Sequence, residues 1–144
     1  MQTITAVIPA KNEEKNIERC IKSVLWCDQV LVISTSTDKT AKIARALGAE
    51  VVEKNKSNID DFEEVQKNIN WAIDNCTTDW MLRIDADEVV TEELEQEIKS
   101  VLKLESFKVQ KLKPSNLQTL EPSNLPTLPS LTAFLVPLTS SEDF

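Results

Sequence analysis

Asp85, Asp87 and Glu88 place three carboxylates within four residues, directly after the apolar run WMLRI (80–84). Like charges at this spacing resist ionising together unless something positive stands among them. In an extended segment, residues two apart face the same way, so Asp85 and Asp87 would both address one ligand. Two carboxylates, completed by diphosphate oxygens and water, suit an octahedral Mg²⁺ or Mn²⁺. The alternative is an acidic turn leading into a helix whose N-terminus favours carboxylates.

Two further polar clusters, AKNEE (10–14) and STSTD (34–38), also follow β-branched runs. TITAVIP (3–9) predicts a strand. Asn12 is then expected to cap a helix, with Glu13 and Glu14 in its first turn and Ile17, Cys20, Ile21, Val24 and Leu25 as its apolar face. QVLVIS (29–34) is apolar almost throughout, as in a strand covered on both faces. The hydroxyls of STSTD and Asp38 predict the cap of a helix carrying Ile43, Ala44 and Leu47. Gly48, the only glycine, stands where that helix needs a residue tolerant of positive φ.

AEVVE (49–53) predicts a third strand and KNKSNID (54–60) a polar loop. A helix over 60–75 presents Phe62, Val65, Ile69, Ala72 and Ile73, and TDWMLRI (78–84) is the fourth strand. A last helix begins near Thr91, with Glu92 and Glu93 in its first turn and Val90, Leu94, Ile98 and Val101 as its stripe. This alternation implies an α/β fold: a mainly parallel sheet flanked by helices on both faces, with right-handed crossovers. Ligands of such sheets bind beyond the carboxyl ends of the strands. All three polar clusters fall there.

Length and composition narrow the function. The 144 residues suffice for one core. A formal charge of −8 argues against a nucleic-acid partner, and the absence of histidine removes the commonest general base. Cys20, Cys27 and Cys76 are odd in number and lack CxxC spacing, which fits buried free thiols in a reducing compartment. No leader and no bilayer-length apolar run is evident, so the expected location is cytoplasmic, at most peripheral to the inner face of the membrane. Residues 1–105 are expected to form the domain, and 106–144 a Pro/Ser/Asn/Leu-rich tail. PSNLQTLE (114–121) and PSNLPTLP (122–129) repeat there, and five of the six prolines lie in this tail. It is expected to be disordered or loosely packed, with TAFLVP (132–137) as a candidate further strand.

VIPAKNEEKNI (7–17), LVISTSTDKT (31–40), QKNINWAI (66–73) and WMLRIDADE (80–88) together resemble the nucleotide-binding half of family 2 glycosyltransferases with a GT-A fold, most nearly the lipopolysaccharide-core glucosyltransferase type. The resemblance covers about residues 3–104. It implies that Pro9, Ala10 and Lys11 lie along the base of a nucleotide, with Glu13 near the ribose. It implies that Asp85 stands on the sugar–ribose side and that Asp87 is the direct metal ligand, with Glu88 either behind them or a helix-start charge. Lys67 falls where relatives often carry a basic residue near the donor. Their helix-capping and solvated-surface readings remain open alternatives. The implied ligands are Mg²⁺ or Mn²⁺ and a nucleotide-sugar, a UDP-sugar first. The acceptor in an intact relative would be a glycan or a lipid-linked molecule.

Two departures from the family pattern stand out. Relatives usually carry an aspartate where this chain has Ile33, which cannot accept a hydrogen bond; Ser34 is the candidate substitute. The segment that would build the acceptor site and supply the catalytic carboxylate is replaced by the PSNL repeat, leaving Asp143 as a weak candidate base. Two functions follow: a donor-binding domain of an inverting glycosyltransferase, or an inactive fragment that binds a nucleotide or a protein. An aspartyl phosphatase would need later lysine and acidic motifs, and a nucleotidyltransferase a glycine-rich phosphate loop; neither pattern is present. Loss of later elements would leave a sheet edge and an apolar helix face uncovered, which predicts self-association.

Overall fold

The computed structural model describes residues 2–54, 62–108 and 134–138, with side chains omitted at 104–108 and Phe134. The PSNL repeat and Asp143 lie outside the described residues. Among the described residues nine elements follow in chain order: β1 (Ile4–Ala10), α1 (Ile17–Lys22), β2 (Gln29–Ser34), α2 (Thr40–Ala46), β3 (Glu50–Glu53), α3 (Phe62–Asn75), β4 (Trp80–Arg83), α4 (Glu92–Lys108) and β5 (Phe134–Pro137). The strands form one sheet in the order β3-β2-β1-β4-β5. Pairings among β1, β2, β3 and β4 are parallel, and β5 adds antiparallel to β4. The mainly parallel sheet expected from the alternation is therefore present, and part of the predicted TAFLVP strand forms its edge.

Alternation along each strand divides the core between two faces. Ile4, Ala6, Ile8 and Ala10 of β1 and Trp80 and Leu82 of β4 pack with Ile17, Cys20 and Ile21 of α1, Ala44 of α2 and Leu94, Ile98 and Leu102 of α4. Val7, Leu31, Ile33 and Met81 point the other way, against Ile69 and Ala72 of α3. Burial of both faces explains why the central strands are mostly apolar, with Thr5 and Ser34 as buried exceptions.

Several stripe positions differ from the periodic reading. Leu25 is 52% exposed because α1 ends at Lys22 and gives way to turns. Phe62 is 76% exposed at the first position of α3, and Ile73 lies at the rim of that helix. On α4 the buried stripe continues through Leu102, while Val101 is only half-buried. The three cysteines are free thiols, Cys20 and Cys27 buried and Cys76 half-buried.

Gly48 ends α2 as expected. It adopts φ +89, with its N–H on the Arg45 carbonyl and the Ala49 N–H on the Ala44 carbonyl, both at 3.1 Å. This paired closure satisfies the last carbonyls of the helix and turns the chain into β3. An added Cβ would meet nothing within 4 Å, so its cost is purely conformational. Gly48→Ala is therefore expected to lower stability by about 1 kcal/mol in urea denaturation, with Gly48→Asn recovering part of the loss.

Candidate functional site

A cleft of about 440 Å³ opens beyond the carboxyl ends of β1, β2 and β4. Sheet order explains its place. β1 sends its connection toward β2 on one side, while β4 arrives on the other, so the loops after β1 and β4 diverge and leave a crevice. One wall carries Pro9, Ala10, Lys11 and Glu13; the opposite one carries Asp85, Ala86 and Asp87. Ile33 and Thr35 from the end of β2 contribute the floor. α3 contributes Phe62, Glu64, Val65 and Asn68.

Carboxylates converge on the second wall, but not through strand geometry. β4 ends at Arg83, although the Ile84 N–H still reaches the Val7 carbonyl at 3.1 Å. Residues 85–88 then form a turn closed by the Glu88 N–H on the Asp85 carbonyl at 3.0 Å. The expected extended segment is thus replaced by a tight bend, which gathers Glu88 along with the two aspartates. Ligand atoms of Asp85, Asp87 and Glu88 all lie within 4.8 Å of one another.

Helix α1 supports this turn at both ends. The Cys20 thiol donates to the Asp85 carbonyl at 3.5 Å. Ser23 Oγ accepts the Val90 N–H at 3.0 Å while donating to the Cys20 carbonyl. Burial, and then the charges of Glu88, Asp87 and Asp85, push the Cys20 pKa up to about 12. Its proton stays on sulfur and remains available to the turn.

The Asp85 pKa is raised, first by burial, then by a hydrogen bond with Glu88 and that residue's charge; Arg83 acts in the opposite direction. The carboxylate set therefore fits a divalent cation by its own chemistry. Oxygen donors are gathered closely, and their mutual repulsion is what a positive ion would relieve.

Fixing the first wall falls to the STSTD segment, most of which does not line the cleft. Three consecutive N–H groups of the β1–α1 loop are accepted by side chains of the β2–α2 loop and of the first residue of α2. Asn12 N–H bonds Ser36 Oγ at 2.9 Å, Glu13 N–H bonds Thr40 Oγ1 at 2.9 Å, and Glu14 N–H bonds Asp38 Oδ2 at 3.3 Å. Return bonds run from the Thr37 N–H to Asn12 Oδ1 at 2.9 Å and from the Lys39 N–H to Glu14 Oε2 at 3.2 Å. Asn12, at φ 53, is thus a left-handed corner rather than the expected cap of α1, whose N-cap is Asn16. Asp38 is likewise not the N-cap of α2, which is Lys39; it stands one residue earlier and accepts the N–H of the first helical residue, Thr40, at 2.9 Å together with the Thr40 hydroxyl.

Of the residues named from sequence, the structure brings Pro9, Ala10, Lys11, Glu13, Asp85 and Asp87 to the cleft. Ser34 is buried behind the floor, its Oγ accepting the Ser36 N–H at 3.2 Å. Strand alternation points Ile33 into the cleft and therefore turns Ser34 away. Lys67 is exposed outside the lining, two residues from both Val65 and Ile69 and so on the far side of α3. Thr35, Phe62, Glu64, Val65 and Asn68 were not singled out as ligand-facing, because the helical period identifies an apolar face without saying which end overlooks a crevice. The exposed aromatic at the helix start was the one available signal.

Two carboxyls of the region give opposite pH dependence. Raised in the fold above its ordinary 3.8, Asp85 favours the folded state while protonated, so its contribution is lost as pH rises through the folded value. For Asp38, burial alone would raise the pKa, but hydrogen bonds from Thr40 and Glu14 outweigh it and hold the value below 3.8. Its contribution is present above that pH and lost as pH falls through the folded value. In urea denaturation with chelator, Asp85→Asn is expected to reduce the loss of stability between pH 4 and 7. Asp38→Asn should flatten the acid limb below pH 4. Parallel profiles for both variants and the wild type would contradict the assignment.

Comparison with known proteins agrees with the geometry. The pattern described as glycosyl transferase family 2 matches residues 5–106. An uncharacterized glycosyltransferase of Rickettsia bellii (strain RML369-C) is 43% identical over 100 residues, 68% of this chain and 32% of that protein. One from Rickettsia typhi is 41% identical over 103 residues, 70% of this chain and 33% of its own. The chain thus spans about a third of the length of these curated relatives. Among solved structures, Staphylococcus aureus TarS aligns with TM-score 0.57 at 21% identity, over 68% of this chain and 31% of that one. The mannosyltransferase PcManGT from Pyrobaculum calidifontis, solved with GDP-Man and Mn²⁺, aligns with TM-score 0.53 at 20% identity, over 68% and 32%. These structural likenesses establish the fold, and the family match spans the cleft from β1 to the acidic turn. The chain belongs to glycosyl transferase family 2 and has the GT-A type of fold.

Proposed function

We propose that the cleft binds the nucleoside diphosphate of a nucleotide-sugar donor, for sugar transfer to a glycan or lipid-linked acceptor. The observation that carries this reading is the convergence of Asp85, Asp87 and Glu88 on the wall facing the β1–α1 loop. Asp87, exposed at the tip of the turn, would be the direct ligand of Mg²⁺ or Mn²⁺, with Asp85 beside it and Glu88 holding the charge balance behind. When bound, such an ion offsets negative charge developing on the departing nucleoside diphosphate.

The chain's own residues divide the remaining work. Pro9 and Ala10 offer a flat apolar edge to a base, and Glu13 offers an acceptor to a ribose hydroxyl. Ile33 packs against the nucleotide without hydrogen-bonding it, so base selectivity falls to other lining groups. Asp85, on the same wall as Asp87 but half-buried, would orient the sugar–ribose side.

The test is calorimetry with UDP and GDP, each with and without Mn²⁺, on the wild type and Asp87→Ala. Binding is expected to require the metal and to weaken by more than about 100-fold in the variant, beyond the loss typical of an outer-shell change. Equal heats for the two proteins, or heats independent of Mn²⁺, would overturn the assignment.

A further inference from the structure

The β1–α1 loop reaches the cleft from a left-handed corner that a side chain holds in place. Asn12 is, besides Gly48, the residue with positive φ among those described. Non-glycine residues rarely adopt this conformation; asparagine tolerates it because its short amide can bond locally. Here the amide bonds across loops instead. Asn12 Oδ1 accepts both the Thr37 N–H at 2.9 Å and the Thr37 hydroxyl at 3.3 Å. From the opposite direction, Ser36 Oγ accepts the Asn12 N–H at 2.9 Å and donates to the Ala10 carbonyl at 3.3 Å. One residue therefore sits inside a closed ring of bonds that begins at Ala10, in the wall, and returns to it.

We propose that Asn12 is a positioning residue for the donor site, and that its bonds to the β2–α2 loop set where Pro9, Ala10, Lys11 and Glu13 stand. Asn12 does not line the cleft; it acts through the four residues around it, which do. The corner reverses the chain between Lys11 and Glu13, so a small rotation at φ moves both. Without the grip on Thr37, the loop retains its backbone bonds to Ser36 and Thr40 but loses the restraint on that rotation. The inference rests on the nucleotide-sugar reading above, and it assigns the STSTD segment a role in binding although only Thr35 of its loop meets the cleft.

Substitutions separate the grip from the backbone conformation. Asn12→Gly keeps the left-handed corner without strain and deletes Oδ1; Asn12→Asp keeps an acceptor oxygen. Ser36→Ala leaves Asn12 intact and removes the acceptor for its N–H. The probes are the tighter-binding of UDP and GDP, and inorganic pyrophosphate, each titrated with Mn²⁺ into the full chain. Pyrophosphate engages the acidic wall alone, whereas the nucleotide needs both walls.

Asn12→Gly and Ser36→Ala are each expected to weaken nucleotide binding about 5-fold, the scale of one hydrogen bond's net worth. Pyrophosphate binding should stay within about 2-fold, and Asn12→Asp should bind the nucleotide within about 2-fold of the wild type. Nucleotide binding unchanged in both Asn12→Gly and Ser36→Ala, or pyrophosphate weakened in the same proportion, would overturn the proposal. If Asn12→Gly does not fold, Ser36→Ala decides by the same criteria. A wild type that binds neither nucleotide would overturn the donor-site reading and this inference together; wild-type binding lost in Asp87→Ala but unchanged in Asn12→Gly and Ser36→Ala would overturn this inference alone.

Discussion

Crowded negative charge at the end of β4 is the constraint on which the site depends. Three carboxylates have ligand atoms within 4.8 Å of one another, and Asp85, half-buried beside Glu88, has its pKa raised by burial and by that neighbour. The fold holds them there by means unrelated to charge. β4 is buried on both faces, its backbone is registered against β1 from Ile4 opposite Trp80 to Val7 opposite Arg83, and α1 anchors the turn through Cys20 and Ser23. Apolar burial and backbone bonding thus maintain an arrangement that electrostatics alone would disperse. A cation would convert that arrangement from a local cost into a binding site.

The two walls are built by different physics. The acidic wall is a strand end fixed by the core behind it. The β1–α1 wall is a loop whose N–H groups would otherwise need water, and it is organised by hydroxyl and carboxylate side chains some 24 to 27 residues further along the chain. Each wall is therefore coupled to a different neighbour: one to α1, the other to the β2–α2 loop. β1 joins them, being paired to β2 on one side and β4 on the other.

Much of this was legible in the sequence because it follows from period. β2 spans the residues expected from QVLVIS, and the closing glycine of α2 is where the helix needed one. The acidic cluster and the PAK segment were recognisable as ligand-facing because strand ends in parallel sheets point to one side. What period could not supply was long-range bonding. Asn12 before two glutamates reads as a helix cap until Thr37 is brought beside it. Ser34 has the chemistry to bond a ligand and Ile33 does not, yet alternation decides which of them faces the cleft. Leu25 and Phe62 obey a helical spacing, but both are exposed among the described residues because α1 stops early and α3 begins at the crevice. Asp85 and Asp87 were expected to align by strand geometry; a turn aligns them, and that is why Glu88 joins them.

The antiparallel strand β5 has a consequence for how the chain can vary. It pairs Phe134 with Arg83, about 50 residues away, whereas β1 and β4, whose ends flank the cleft, pair across a still longer span, Ile4 opposite Trp80. Loop-closure entropy grows only logarithmically with length, so changing the stretch between α4 and β5 by several residues alters that closure little. Length changes there are thus absorbed on the outer side of β4, while the acidic turn keeps its anchors on β1 and Cys20.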